Sequence, residues 1–378
     1  MAAKVADKLN MHIPFFDLTR QLQSWPHLHQ AIGQVIAAGQ FVGGEPVAQF
    51  EKNFARLLNV PFCVSTGSGT DALYLIFKAL QLPRDAEVIT PAWSCMPTAE
   101  TISLAGYKPV FCDVDEQYMV ITPETVEKKI TSRTRAVLAV HLYGQAAPVK
   151  ALKELCEAHR LYLIEDCAQA HLTYESDKPA GTSGVAAAFS FYPTKNLGAL
   201  GHAGCVVTAH EHLAHSIRSL ANHGSPPPEQ YNYQTEGINS RLDTLQAAVL
   251  NVKLTQLVAL NNRRRSIATQ YNQMLSGLPG LECPQERPGT VHSWHIYCVR
   301  TPMRNALKSY LQKQGIETCI HYPVALPLSA AYRHLNVTAH DFPVAARLAD
   351  QVLSLPVFPE LTHEEVEQVA NAVIRFYR

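Results

Sequence analysis

Apolar positions along the chain follow two spacings in turn. Between Glu45 and Leu58, Val47, Phe50, Phe54 and Leu57 recur at helical intervals, which predicts a helix with one apolar face. Phe62–Ser65 then reads as a strand, Asp71–Leu80 as a helix and Glu87–Thr90 as a strand ending at Pro91. Further strands are predicted at Pro109–Asp113, Ala136–Leu142, Leu161–Glu165, Ala188–Phe191 and Cys205–Thr208, with helical patterns such as Pro148–Ala158 between most of them. Runs such as AVLAV and LYLI are apolar at every position, as strands covered on both faces are. Strands separated by crossover helices predict an α/β chain with a mainly parallel sheet. After about residue 255 the pattern changes to a smaller α+β unit. A long helix over Asp243–Leu260 is continued through Arg263–Leu275. Strands at His295–Val299 and Thr318–Tyr322 follow, with helices near Arg304–Gln314, Val344–Leu353 and His363–Phe376. The expected division is therefore 1–255 for a large domain with the N-terminal segment and 256–378 for a small one. Gly224–Gln234, with three consecutive prolines, reads as a loop.

Composition narrows the class. The 378 residues are 47% hydrophobic and 17% charged, within the globular range. Lys plus Arg and Asp plus Glu are both 32, so a balanced charge supports neither a nucleic-acid nor a membrane partner. The nine scattered cysteines form no CxxC pair, which argues against a zinc ribbon or disulfide scaffold. The first residues, MAAKVADKLNMHIPFFDL, show no signal-peptide pattern, and the expected compartment is a reducing cytoplasm.

In a parallel sheet the ligand crevice lies at the carboxyl ends of the strands. Gly67-Ser68-Gly69-Thr70 is there either a phosphate-binding turn or an ordinary capped turn. No Walker lysine follows, which argues against a P-loop NTPase. Gly67, Gly69 and Ala72 match G-x-G-x-x-A, but Glu87 opens its strand instead of ending it, against a dinucleotide fingerprint. Asp166 ends the strand LYLIED, either facing a buried cation or capping a helix. Lys195 follows Ser190 by five residues, as either an amine against apolar walls or a solvated lysine. Trp93 is either a platform for a planar ring or a core residue.

Together, GSGTDAL, EDCAQAH, FSFYPTKNLGALG and GINSRLDTLQAA resemble the nucleotide-sugar aminotransferases of the DegT/StrS group, over nearly the whole chain. The resemblance implies the aspartate-aminotransferase fold, a three-layer α/β sandwich around a mostly parallel seven-stranded sheet. It implies pyridoxal 5′-phosphate, alternating with pyridoxamine 5′-phosphate, and transfer of an amino group from L-glutamate to a nucleotide-linked keto sugar. By the same resemblance Lys195 is the Schiff-base lysine and Asp166 the partner of the pyridine nitrogen. Trp93 would stack on the ring, Gln169 would lie near its hydroxyl, and Gly69, Thr70 and Ser190 would hold the phosphate. Asn239 would reach the phosphate of a neighbouring subunit, making a homodimer with shared sites. Tyr192, His321 and Tyr322 would contact the sugar.

The overall look is closest to enzymes aminating C3 of a dTDP-linked 3-keto-6-deoxyhexose. The alternatives are 4-keto or UDP-/GDP-linked sugars, a dehydratase, or a regulatory relative. Departures from the pattern are His202, where Gly-His-Ala-Gly replaces Gly-Asp-Gly-Gly, then Leu172, Ala325 and Pro327. His210, His212 and His215 read as a solvated helix end and no metal is expected. Arg263-Arg264-Arg265 reads as a solvated face or an interface edge.

Overall fold

The computed structural model describes residues 12–378 except 24, 26 and 227–230. Most of the segment read for a signal peptide, residues 1–11, and part of the proline loop thus lie outside the described residues.

The main sheet has seven strands. They are β1 (Phe62–Thr66), β2 (Glu87–Pro91), β3 (Lys108–Cys112), β4 (Thr134–Val140), β5 (Tyr162–Asp166), β6 (Ala186–Ser190) and β7 (Gly204–Thr208). Their spatial order is β1-β7-β6-β5-β4-β2-β3. All neighbours pair in parallel except β7, which runs antiparallel to both β1 and β6. The start of β7 therefore lies at the same edge as the ends of the other strands.

Period-two alternation sends side chains into two helix layers. Leu138, Ile164, Ala186 and Ala188 pack with the helix Gly69–Leu80. On the opposite face, Ala187 and Phe189 pack with the helix Glu45–Leu58, and Val137, Ala139 and Leu163 with the helix Val149–His159. Phe54 meets Phe189 and Phe191 edge-on, at 5.1 and 5.3 Å between centroids. Leu172, at a family glycine position, has φ 55. That left-handed backbone costs a non-glycine residue about 1–2 kcal/mol, opposed here by burial of its side chain in the Phe50–Phe54–Phe191 cluster.

The C-terminal unit packs around β8 (Tyr297–Arg300), antiparallel to β9 (Val352–Leu355). Four sequence expectations change here or at the N-terminus. The predicted helix Val344–Leu353 ends at Gln351, because the apolar run Val352–Leu355 is buried on both faces as a strand. Thr318–Tyr322 is no strand: only Cys319 bridges to Ser354, and Pro323, lacking an N–H, cannot extend the ladder. The helix expected over Asp243–Leu260 breaks at Thr255–Gln256, where Thr255 Oγ1 donates to the Val252 carbonyl. This break lies at the expected domain division. Helices Leu18–Gln23 and His27–Ala38 precede the first predicted one; Leu28 and Val35 are buried, a spacing that the sequence does carry. Ile13 pairs with Ile316 and packs in the C-terminal core, so the start of the N-terminal segment reaches the small unit, while Trp25 and Leu28 pack on Val249 of the large one.

The ends of β4 and β5 are locked by a buried carboxylate. Glu165 and His141 are both fully buried, and Glu165 Oε2 lies 2.9 Å from His141 Nε2. His141 Nδ1 accepts the Ala147 N–H, so Nε2 carries the proton and donates to Glu165. Glu165 also accepts N–H groups from Gly181, Ser183 and Gly184. Burial alone would raise this carboxyl, but His141 and these backbone donors outweigh it and hold it below its ordinary value. The contribution is present above the unfolded pKa of about 4.3 and is lost as pH falls through the depressed folded value.

Glu165→Ala orphans four N–H donors at once, three of the backbone and one of His141. Urea unfolding of this variant is expected to show a loss of about 3–5 kcal/mol. A loss under about 1 kcal/mol, the size of a surface pair, would remove Glu165 from this role.

Candidate active site

Six of the seven strands contribute to one cavity of about 310 Å³ at the carboxyl edge. Its walls include Ser68-Gly69-Thr70 after β1, Ser94, Cys95 and Thr98 after β2, and Val140 and Leu142 at the end of β4. Asp166 and Gln169 follow from β5, Ser190, Tyr192 and Lys195 from β6, and His202 and Ala203 enter β7. Tyr322 closes it from the C-terminal unit.

The glycine turn is an anion cradle by construction. Ser68 caps the helix Gly69–Leu80 by accepting the Asp71 N–H at 3.0 Å, leaving the turn at the positive end of the helix dipole. A Cβ on Gly69 would lie 2.6 Å from Ser190 Cβ, and one on Gly204 would lie 2.4 Å from the Ser68 carbonyl carbon. Glycine at both positions is what lets β6 and β7 close on the turn.

Asp166, 6% exposed, accepts the Ala168 N–H on Oδ1 and the Thr98 hydroxyl on Oδ2. Burial pushes its pKa up, against the pull of the Ala168 N–H, Lys195 and Thr98. Lys195 shows the opposite strain: burial pushes its amine below the ordinary lysine value, and Asp166 and Cys95 oppose the shift. The lysine loop is rigid. Lys195 N donates to Tyr192 O, and Asn196 Nδ2 donates to Asn261 Oδ1 and Ser293 O at 2.8 and 2.9 Å. A Cβ on Gly198 would lie 2.2 Å from Pro193 O, so only glycine closes this loop. Gln169 accepts the Tyr143 N–H and donates to the Tyr322 hydroxyl, joining the β5 loop to the C-terminal unit.

The structure thus brings Gly69, Thr70, Asp166, Gln169, Ser190, Tyr192, Lys195 and Tyr322 together. It leaves three expected residues outside. Trp93 is 1% exposed and packs in the core, edge-on to Tyr322 at 6.3 Å. The chain after β2 turns this side chain inward and presents Cys95 to the cavity instead. His321 turns away to hydrogen-bond Ser354 Oγ at 2.9 Å, and only its neighbour Tyr322 reaches the cavity. Asn239 lies on an exposed segment outside its own chain's cavity, accepting from Arg241 Nε. Cys95 and His202 are wall residues that sequence reasoning did not assign. For Cys95 the available signal was its place in the loop between the end of β2 and the next helix, at the edge where the crevice lies.

Other expectations resolve structurally. Glu87 pairs with Arg133 at the strand's opening, away from the cavity. The basic run is no solvated face: Arg264 is 1% exposed and donates to Val357 O at 2.6 Å, and Arg263 donates to the Pro359 and Leu361 carbonyls. His141, Glu165 and Cys167 come within metal-ligand range of one another. Both nitrogens of His141 and all the acceptor sites of Glu165 are already engaged, so this group does not fit a metal. Among the described residues no helix is long and apolar enough to cross a membrane.

Residues 26–374 match the family model described as "DegT/DnrJ/EryC1/StrS aminotransferase family". A dTDP-3-amino-3,4,6-trideoxy-alpha-D-glucose transaminase of Streptomyces venezuelae is 40% identical over 96% of this chain and 95% of its own length. A "pleiotropic regulatory protein" of Geobacillus stearothermophilus is 37% identical over 97% of this chain and 99% of its own. The crystal structure of S. venezuelae DesV in complex with a ketimine intermediate superposes with a TM-score of 0.94 at 39% identity, covering 98% of this chain and 99% of that one.

All nine cysteines are free, and Cys95 is the exposed one. Burial raises its thiol pKa, so alkylation is expected to accelerate with pH. Iodoacetamide followed by peptide mass mapping should label Cys95 at least about tenfold faster than the buried Cys63 or Cys167; equal rates would place Cys95 in the core.

Proposed function

The chain belongs to the DegT/DnrJ/EryC1/StrS aminotransferase family, and from that premise we propose that it moves an amino group from L-glutamate to a dTDP-linked 3-keto-6-deoxyhexose. It is a pyridoxal-phosphate aminotransferase of nucleotide sugars. The particular sugar, nucleotide and donor are our reading. The observation that carries it is the convergence of Lys195, Asp166 and Ser190 with the glycine turn in one cavity.

The donor set fits the cofactor. The turn and Ser190 would hold its phosphate. Asp166, whose burial calls for a facing cation, would keep the pyridine nitrogen protonated. Pyridoxal 5′-phosphate supplies an aldehyde that exchanges with amino groups and a ring that accepts the electron pair of a broken C–H bond. Lys195 Nζ has two tasks. With the cofactor bound it would hold the aldehyde carbon, and once a substrate amine had displaced it, it would carry a proton between the donor's α-carbon and the cofactor's C4′ carbon. Its depressed pKa keeps a neutral, basic fraction available for this. In the second half-reaction Lys195 Nζ would carry the proton the other way, to the carbon of the keto sugar that takes up the amine. Gln169 and Tyr322, hydrogen-bonded to each other at 3.0 Å, orient the ligand between the two units. Tyr192 and Tyr322 would meet the sugar.

The proposal includes a homodimer in which Asn239 of one subunit completes the phosphate site of the other. Its support is the exposure of Asn239 outside its own cavity.

Lys195→Ala is expected to abolish the visible imine band of the purified enzyme and to cut turnover by roughly 10²–10⁴-fold. Full activity in this variant would refute the assignment. A wild-type protein that binds pyridoxal phosphate yet whose spectrum never responds to L-glutamate would favour a regulatory role.

Pyridoxal phosphate is also expected to shield the Cys95 thiol. Alkylation of Cys95 should slow on adding the cofactor, while that of the half-buried Cys283 and Cys319 stays constant. An unchanged Cys95 rate would place the cofactor elsewhere.

A further inference from the structure

His202 stands in the cavity wall with nothing assigned to it. It is exposed, and its ring lies 5.7 Å from that of Tyr192, tilted by 51°. Among the described residues its ring nitrogens have no hydrogen-bond partner, so its N–H capacity faces the cavity unused. The backbone around it is fixed. Leu200 N donates to Gln246 Oε1 at 2.8 Å, Phe191 N donates to Ala203 O at 2.8 Å, and Gly204 is wedged against Ser68. The backbone that carries the imidazole is therefore fixed at the cavity wall.

The charge inventory of the wall gives it a task. Among the described wall residues the basic side chains are Lys195 and His202, and there is no arginine. The reading above commits Lys195 to the chemistry at the aldehyde carbon. Yet L-glutamate carries two carboxylates and a nucleotide sugar carries a diphosphate. An oxyanion leaving water needs a charged or N–H donor in its place.

We propose that His202 is the specificity residue that receives an anionic oxygen group of a substrate, a carboxylate or a phosphate, at the mouth of the cavity. The Tyr192 ring, 5.7 Å away and tilted by 51°, is the aromatic neighbour beside which the imidazole would meet the ligand. The cofactor's own phosphate is a weaker claimant, because the helix N-terminus and Ser190 already serve it. This inference rests on the function proposed above.

The test uses the cofactor-loaded enzyme with His202→Asp and His202→Gln. Three quantities are read separately: half-saturation of the spectral change by L-glutamate, calorimetric affinity for thymidine 5′-diphosphate, and cofactor retained after dialysis. His202→Asp is expected to weaken glutamate or thymidine diphosphate by about tenfold or more, and His202→Gln the same ligand by about threefold, with cofactor retention unchanged. Whichever probe responds identifies the anion as carboxylate or phosphate. If both probes stay within twofold of wild type, or if only cofactor retention falls, the assignment is overturned. A wild-type enzyme responding to neither probe would instead overturn the function reading on which this rests.

Discussion

An amine and a carboxylate withdrawn from water at one end of a parallel sheet govern this molecule. Burial pushes the Lys195 amine down and the Asp166 carboxyl up, and each opposes the other's shift. Neither is tolerable alone, since an unpaired ion in a low-dielectric site costs several kcal/mol, of the order of ~3–5. The surrounding structure keeps them where they are. Ala168 and Thr98 take up acceptor sites on Asp166, and Asn196 ties the lysine loop to Asn261 and Ser293. Even the end of that loop is held, by the buried Lys253 donating to Gly198 O at 2.9 Å. The site is reactive because its polar groups are paired only as far as the fold demands.

That pairing depends on the antiparallel strand. A wholly parallel sheet would carry the chain away from the carboxyl edge between strands. By running backwards, β7 starts beside the glycine turn and brings His202 and Ala203 to the wall. The close contacts of Gly69 with Ser190 and of Gly204 with Ser68 follow from this geometry. The small unit then closes the remaining side through a single tyrosine, Tyr322, bonded to Gln169.

Much of this was legible in the sequence, and the failures have physical causes. Strands covered on both faces leave continuous apolar runs, so β1 to β7 were found within a residue or two. The order of glycine turn, Asp166 and Lys195 along successive strand ends marked the site, because a parallel sheet gathers those ends at one edge. Trp93 misled because residue type says which group suits a planar ring, whereas a turn after a strand decides which side chain faces it. His321 failed likewise: in an irregular segment there is no period from which to read direction, and the neighbour Tyr322 took the inward position. The apolar run Val352–Leu355 gave no periodicity to separate strand from helix. The burial of Arg264 was invisible because its partners are backbone carbonyls, which no motif announces.

The departures from the family pattern divide by what they face. Groups that would meet the cofactor, Gly69, Thr70, Asp166, Ser190 and Lys195, stand as expected along the wall. Ala325-Leu326-Pro327 stands where the family often has proline, leucine and a pocket histidine; Pro327, at the histidine position, is buried beside Leu326, whose N–H donates to Ala92 O. Apolar packing there removes a polar contact from the substrate side. His202 adds a polar group to the cavity wall, where the pattern often carries an acid. Replacing a carboxylate by an imidazole removes a negative charge from the path of an entering anion and offers it an N–H donor. The departures therefore fall outside the group that would meet the cofactor, and of them His202 is the one that lines the cavity.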